Sequence, residues 1–354
     1  MVVFMGCRRQ RLTCPDRGPT GADNKSMSDK MDEQQWFDED KPQPDPPAEA
    51  ANTAQKPAAE TATSKWPVVL GAVSAVCALG VLGFYGVTQT SDTPTLSDRQ
   101  TALASVYPMQ AVPAGTYTVG CTPGQGEACA DDEKPVHDVV LSQPFLVGET
   151  EVTQALYQET MGANPSQFVD CGTDCPVENV TWMDAIRFAN RLSTAHGLPK
   201  CYAISGQHVT MPNGLHCGGF RLPTEAEWEV AARGGQDLKY SGSDNIEDVA
   251  WFRENSNTTT HPVRQKQPNN YGLYDMSGNV WEWSWDTYTL YTEGVHEQTP
   301  ELAVLSDGVR VGRGGCWGSH GEYGSRISYR DRVDPNRRLG SLGVRLVLSM
   351  PVTN

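Results

Sequence analysis

Apolar and polar positions alternate along Trp281-Glu-Trp-Ser-Trp-Asp286. On a strand, Trp281, Trp283 and Trp285 share one face, while Glu282, Ser284 and Asp286 take the other. Three indoles on one side mark a core strand. Just before it, Asp275, Met276, Ser277, Gly278 and Asn279 read as a turn, because Gly tolerates positive φ and Asp/Asn side chains bond their own backbone. Weaker alternation predicts strands over Val112–Gly120, Val136–Leu141, Phe145–Val152 and Leu342–Val347. Helical spacing appears in three places. Thr153 caps a helix in which Leu156 and Tyr157 face Thr160 and Met161. Thr181 and Asp184 form a capping box ahead of Trp182, Ala185, Ile186, Ala189 and Leu192, and Gly197 and Pro199 end that helix. Thr224 and Glu227 form a second box, with Trp228, Ala231 and Ala232 on the apolar face and Gly234 as the stop. Short strands, a few capped helices and long loops make an α+β domain, with no internal repeat.

A different pattern precedes it. Trp66–Val87 is uncharged over roughly the 20 residues that a bilayer requires. Lys65 precedes it, and Trp66 and Tyr85 sit near its ends as interfacial aromatics. A polar stretch stands ahead of it, which does not suit a cleaved signal peptide. The segment reads as one transmembrane helix. Lys41, Lys56 and Lys65 lie before it and no basic residue follows until Arg99, so the N-terminus is expected in the cytoplasm of an inner membrane and the C-terminal part in the periplasm or its equivalent. Residues 1–65 form an acidic, Pro-rich tail that cannot bury enough apolar surface to offset its ordering entropy. Its first 26 residues lack pattern, with Met27 or Met31 an alternative start. Residues 88–108 are a linker, and 109–354 the globular domain.

Charge and cysteines sharpen the picture. A net charge of −15 over 354 residues argues against a nucleic-acid partner, which requires a basic face. Beyond Cys77 in the apolar segment, Cys121/Cys129, Cys171/Cys175 and Cys201/Cys217 fall in close couples, with Cys316 left over. Sequential pairing is the simplest of the 15 connectivities open to six cysteines, and disulfides persist in oxidising compartments. Zinc is the alternative, but no His pair or close Cys-x2-Cys accompanies Cys171 and Cys175.

The turn before the tryptophan strand carries candidate chemistry. Asp275, Glu282 and the carbonyls of Gly278 and Val280 offer two carboxylates and two carbonyls, a set that suits a hard cation such as calcium. The Gly-rich run Arg310–His320 lacks phosphate-loop spacing, so a nucleotide site is not expected there.

Several motifs stand in a recognisable order. They are Glu133-Lys-Pro-Val-His137, Glu149-Thr-Glu-Val-Thr153, Asn164-Pro-Ser166, Pro176-Val-Glu-Asn-Val-Thr-Trp182 and Phe220-Arg-Leu-Pro-Thr-Glu-Ala-Glu-Trp228. Tyr271-Gly-Leu-Tyr-Asp-Met-Ser-Gly-Asn-Val-Trp-Glu-Trp283, Arg313-Gly-Gly-Cys-Trp317 and Leu342-Gly-Val-Arg345 follow. The ordered set resembles the sulfatase-modifying-factor family, whose type is the formylglycine-generating enzyme. The resemblance implies that family's fold, an irregular relative of the C-type lectin fold. It implies a structural calcium at Asp275, Gly278, Val280 and Glu282, and a second near Asn255 and Ser256. The family's oxidase binds copper(I) through two cysteines placed after the Arg-Gly-Gly motif. Here Ser319 and Gly324 stand at those positions, His320 matches the family's histidine, and Cys316 replaces a usual serine. A hydroxyl and a glycine cannot replace two thiolates as ligands of a soft ion. Copper is therefore not expected.

Whether the domain is an enzyme is left open by these residues. The first expectation is a calcium-stabilised, non-catalytic or binding member outside the membrane, engaging an extracytoplasmic protein, peptide or glycan. The alternative is a family enzyme of altered chemistry, an oxidoreductase or other modifier of a protein or small molecule, with Trp281, Cys316, Ser319, His320, Tyr323, Arg326 and Arg330 lining its pocket. A third reading has Cys316 as the oxidising thiol, although a cysteine here also suits a small buried side chain.

Overall fold

Short strands held by long-range contacts build the domain. The computed structural model describes residues 102–103, 105–297, 303–304, 308–321 and 323–349. The expected tail and transmembrane segment lie outside the described residues, as does most of the linker. Among the described residues no helix is long and apolar enough to cross a membrane.

The strands are β1 Met109–Val112, β2 Gly115–Val119, β3 His137–Leu141, β4 Phe145–Gly148, β5 Ala203–Ser205, β6 His208–Thr210, β7 Phe220–Arg221 and β8 Ala250–Trp251. They continue as β9 Ser277–Gly278, β10 Trp281–Thr287, β11 Val295–Glu297, β12 Ala303–Val304, β13 Arg310–Arg313, β14 Arg330–Val333, β15 Leu342–Gly343 and β16 Val347–Ser349. Two four-stranded sheets carry the core, in the orders β1-β4-β16-β7 and β14-β13-β10-β15; smaller sheets join β11-β3-β2, β12-β6-β5 and β8-β9. The expected strand over Val112–Gly120 is thus two strands broken at Pro113 and Ala114, since Pro donates no ladder hydrogen bond. The expected last strand also breaks, with Val344–Leu346 passing between two sheets.

The helices form where their caps lie. Helix α1 spans Gln154–Met161, with Thr153 Oγ1 accepting from Leu156 N. Helix α2 spans Trp182–Ala195 and α3 spans Glu225–Arg233, each opened by the expected box. Gly234 closes α3 at φ +57. The three cysteine couples are disulfides, Cys121–Cys129, Cys171–Cys175 and Cys201–Cys217. The packed domain begins earlier than residue 109. Leu103 and Tyr107 belong to the main apolar cluster, and Tyr107 donates its hydroxyl to Thr150 O at 2.8 Å.

Strand β10 is buried on both faces. Trp281, Trp283 and Trp285 enter the core, where Trp285 stacks on Tyr202 at 5.2 Å and tilts against Trp182 at 5.3 Å. Burying each indole contributes on the order of 3 kcal/mol. The polar face does not meet solvent as its composition suggests: Glu282 and Ser284 are fully buried. The reason is an interior web of arginines and glutamates. Glu225 takes Arg330 (Nε 2.5 Å, Nη2 2.7 Å), Glu227 takes Arg221 (2.6 Å twice), and Glu229 takes Arg233 (2.7 Å) and Arg313 (2.5 Å). Elsewhere Glu133 takes Arg326 (2.7 and 2.6 Å) and Glu282 takes Arg345. Planar guanidinium forks matched to carboxylates suit this arrangement.

Two outcomes follow. Glu229→Ala leaves the buried Arg233 and Arg313 only their second carboxylates, Asp237 at 3.1 Å and Glu225 at 3.7 Å, and removes the acceptor of Gly120 N, so urea unfolding should show a loss of about 3 kcal/mol. A loss below 1 kcal/mol would show that the web is not a structural constraint. The second outcome concerns Asp286 at the end of β10, which accepts from Glu225 N at 2.6 Å. Burial, and after it the neighbouring Glu225 carboxylate, push its carboxyl up to about 7. The folded state therefore holds that proton more tightly than the unfolded chain. Its contribution to stability is present at low pH and is lost as pH rises to about 7. Asp286→Asn should gain stability relative to the parent between about pH 4 and about pH 7 and hold a constant advantage above that. An unchanged difference at pH 5 and pH 8 in parallel urea titrations would refute this.

Candidate functional site

The turn at 275–279 is held in shape by left-handed backbone. Asp275, Gly278 and Asn279 have φ of +57, +88 and +54. A Cβ on Gly278 would stand 2.3 Å from Trp251 O, so no larger residue fits where β9 meets β8. Asn279 is fully buried and braces a second loop: its Oδ1 accepts from His261 N at 3.0 Å and its Nδ2 donates to His261 O at 3.2 Å. The turn then fixes the Gly-rich passage. Gly278 N donates to Gly314 O at 2.8 Å, and Trp317 N donates to Asn279 O at 2.7 Å.

The four expected cation ligands separate into two environments. Glu282 is engaged through both oxygens. Oε1 accepts from Arg345 Nε (2.9 Å) and Nη2 (2.7 Å), and Oε2 accepts from Trp228 Nε1 at 2.6 Å. Asp275 is different. Its Oδ2 accepts from Arg264 N at 2.8 Å, while its buried Oδ1 has no hydrogen-bond partner among the described residues. Burial pushes its carboxyl up. Near it lies Glu151, from the Glu149–Thr153 motif, which carries no local signal of a ligand. Glu151 is fully buried and neither of its carboxylate oxygens has a hydrogen-bond partner among the described residues. Burial, and next the Asp275 carboxylate, push it well above the usual range. Buried oxygens without donors and an excess of carboxylate suit a cation, so the donor set at this turn fits calcium. The expected second site has no such set. Asn255 Oδ1 accepts from Phe252 N, Asn255 Nδ2 donates to Ala250 O and Glu247, and Ser256 Oγ donates to Trp317 O at 2.7 Å. These groups brace their own loop.

The pocket candidates also divide. Arg326 and Arg330 do not face a pocket; each is buried in a bidentate ion pair, with Glu133 and Glu225. The sequence reading missed this because their partners lie 193 and 105 positions away. Trp281 is in the core, tilted against Tyr329 at 5.9 Å. Cys316 is fully buried, with Gly318 N 3.3 Å from its sulfur. Ser319 is nearly buried and turns inward, its Oγ accepting from Cys316 N at 2.9 Å. A Cβ built on Gly324 would lie 2.9 Å from Ser319 Cβ and 3.0 Å from its Oγ, so positions 319 and 324 are in contact.

The residues between these two positions border a groove of about 480 Å³. His320 and Tyr323 line it, joined by Tyr240, Ile246, Phe252, Glu254 and Gly321. The latter five carry no local signal of a site, because the loops bearing them meet only in the fold. Tyr323 is exposed. His320 Nε2 lies 2.9 Å from Arg253 Nη1 and its Nδ1 lies 3.5 Å from Glu254, so both ring nitrogens are engaged with groups other than Ser319 Oγ. The neighbouring Ser and His therefore do not form a nucleophile pair.

Comparison with known proteins agrees with this architecture. The model of the sulfatase-modifying factor enzyme 1-like domain matches residues 94–350. The chain is 37% identical over 247 residues to the chaperone protein LppX of Paenibacillus barcinonensis, covering 60% of this chain and 82% of that relative. It is 30% identical over 292 residues to the formylglycine-generating enzyme of Streptomyces coelicolor, covering 69% of this chain and 90% of the relative. Treponema denticola variable protein 1 superposes with a TM-score of 0.60 at 35% identity, covering 68% of this chain and 95% of the other. The chain belongs to the sulfatase-modifying factor enzyme 1-like family and has the mixed α+β fold of formylglycine-generating enzymes.

Proposed function

We propose that this protein is a binding member of its family without the copper-dependent oxidase reaction, displayed outside a membrane by residues 66–87 and stabilised by calcium at the Asp275 turn. The observation that carries the reading is the contact between Ser319 and Gly324, whose intervening residues His320, Gly321 and Tyr323 line a groove. The two positions meet as a metal-binding pair must, yet together they bring one hydroxyl and no thiolate. Copper(I) gains little from such a pair.

The groove itself suits a polypeptide segment. Tyr323 offers an exposed ring, Phe252 and Ile246 an apolar floor, and Glu254 and His320 a polar rim. An apolar surface with a few polar groups at its edge is the usual make-up of a recognition site. The chaperone name of the Paenibacillus relative supports the same ligand class. The three disulfides support an oxidising compartment and hence an extracytoplasmic domain. A changed catalytic chemistry finds less support: Ser319 Oγ points at Cys316 N, His320 at Arg253 and Glu254, and Cys316 is sealed from the groove.

The test has two arms. Incubation of the purified protein with copper(I) and a sulfatase-type cysteine peptide should leave the peptide unchanged by mass spectrometry; formylglycine product would overturn the reading. Binding to an immobilised peptide array should be detectable, and Tyr323→Ala should weaken the best peptide about tenfold, equivalent to about 1.4 kcal/mol. Equal binding by parent and variant would remove the groove from the proposal.

A further inference from the structure

We propose that Arg187, Arg191, Arg337 and Arg338 form a contact surface for anionic lipid headgroups. The proposal rests on the reading above that residues 66–87 hold the domain at a membrane. Its first support is where the arginines lie. Of the fourteen arginines among the described residues, seven are buried, most of them in the ion pairs of the interior web. Seven are exposed, and four of these lie on α2 and on the turn at 334–338. A chain of net charge −15 thus concentrates its surface guanidiniums in one place.

The fold joins the two segments. Trp182 N donates to Pro335 O at 3.1 Å, which docks the turn on the start of α2. Asp184 then sits between Arg338 Nη2 at 2.6 Å and Arg187 Nη1 at 3.9 Å. Arg191 follows Arg187 by one helical turn on the same exposed ridge. Arg337 adjoins Arg338 in the turn and is exposed with it. The carboxylates of these two segments are already engaged. Asp184 also accepts from Thr181 N at 3.1 Å and Thr181 Oγ1 at 2.7 Å in the capping box. Asp334 accepts from Asn336 N at 2.9 Å within its own turn. Neither Arg191 nor Arg337 has an ion pair among the described residues. Four guanidiniums against two engaged carboxylates leave the ridge positive.

The chemistry of the partner follows from the donors. A guanidinium fork takes phosphate oxygens in pairs, so the patch fits phosphate esters. Tethering favours the lipid source. Residues 88–101 separate the apolar segment from the described domain, and at full extension they reach about 50 Å. Near the start of the domain Tyr107 packs edge-on to Phe220 at 6.4 Å, and Phe220 N donates to Ser193 Oγ of α2 at 2.9 Å. The chain thus enters the domain close to the helix that carries the patch. A short tether keeps the local concentration of headgroups high, so that a weak patch suffices.

The experiment reconstitutes the full-length chain into lipid nanodiscs, one set of phosphatidylcholine alone and one of phosphatidylcholine mixed with phosphatidylglycerol. Mass spectrometry follows tryptic cleavage after Arg337 and Arg338, relative to cleavage after the exposed Arg253. Cleavage at the patch should be about fivefold slower on the anionic discs. Raised salt should remove the protection. The double variant Arg187→Glu/Arg191→Glu leaves both reporter bonds in place and should be cleaved equally on the two lipids. Equal rates for the parent on both lipids would overturn the proposal and leave the membrane reading standing. Protection on phosphatidylcholine discs by inorganic phosphate would also overturn it, by assigning the patch to free anions. Protection there by polyglutamate would do the same, by assigning it to an acidic protein. A chain that does not enter discs would overturn the membrane reading instead. Flotation of that chain with phosphatidylglycerol vesicles then decides the patch: flotation of the parent and not of the double variant supports it, and flotation of both or of neither sinks it.

Discussion

The interior of this domain depends on buried arginines paired with glutamates, some a turn or two away and others far along the chain. Helix α3 presents Glu225, Glu227 and Glu229, and these receive Arg330 from β14, Arg221 from β7, Arg313 from β13 and Arg233 from the helix itself. Strands of two to seven residues make few ladder hydrogen bonds, so the sheets alone leave their mutual placement weakly defined. Buried ion pairs seldom add much net stability, because desolvation consumes the Coulombic gain. What they impose is a heavy penalty on any packing that leaves one partner alone. In a fold with so much irregular backbone, that penalty selects one arrangement.

The same web explains how the groove is presented. Arg313 is held by Glu229 and donates to the carbonyls of Ser328 and Tyr329, so both arms of the passage that includes residues 314–324 are tied down. Arg326 and Arg330 lock the segment that follows it. Arginines near a groove invite assignment as ligand-binding groups. Here each is spent on structure, and the exposed chemistry is left to Tyr323, His320 and Glu254.

What the sequence made legible was local. The helix caps at Thr153, Thr181 and Thr224 were readable because cap and partner lie three residues apart. The tryptophan face of β10 followed from its period of two, and the disulfides followed from close spacing. The family followed from the order of motifs. The arginine partners were hidden because pairs such as Glu133 and Arg326 lie 193 positions apart and no period connects them. The burial of Glu282 was hidden for the same reason: a glutamate between tryptophans reads as the wet face of a strand unless Arg345 is known to cover it. Glu151 was visible as part of a motif, but its lack of donors is a property of the packed interior.

Residues of this domain also differ in how much of the structure depends on them. Asp275, Gly278, Asn279 and Glu282 each hold another segment in place, so altering one leaves buried donors, acceptors or charges unmatched, or, at Gly278, drives a side chain into Trp251. Ser319 and Gly324 carry fewer such obligations. Ser319 Oγ accepts one loop hydrogen bond, from Cys316 N, and Gly324 has no side chain to satisfy. Neither position belongs to the arginine–glutamate web that ties down the passage carrying them. The residues that line the groove are thus distinct from those that hold the fold together, so the surface chemistry of this passage can vary on one scaffold.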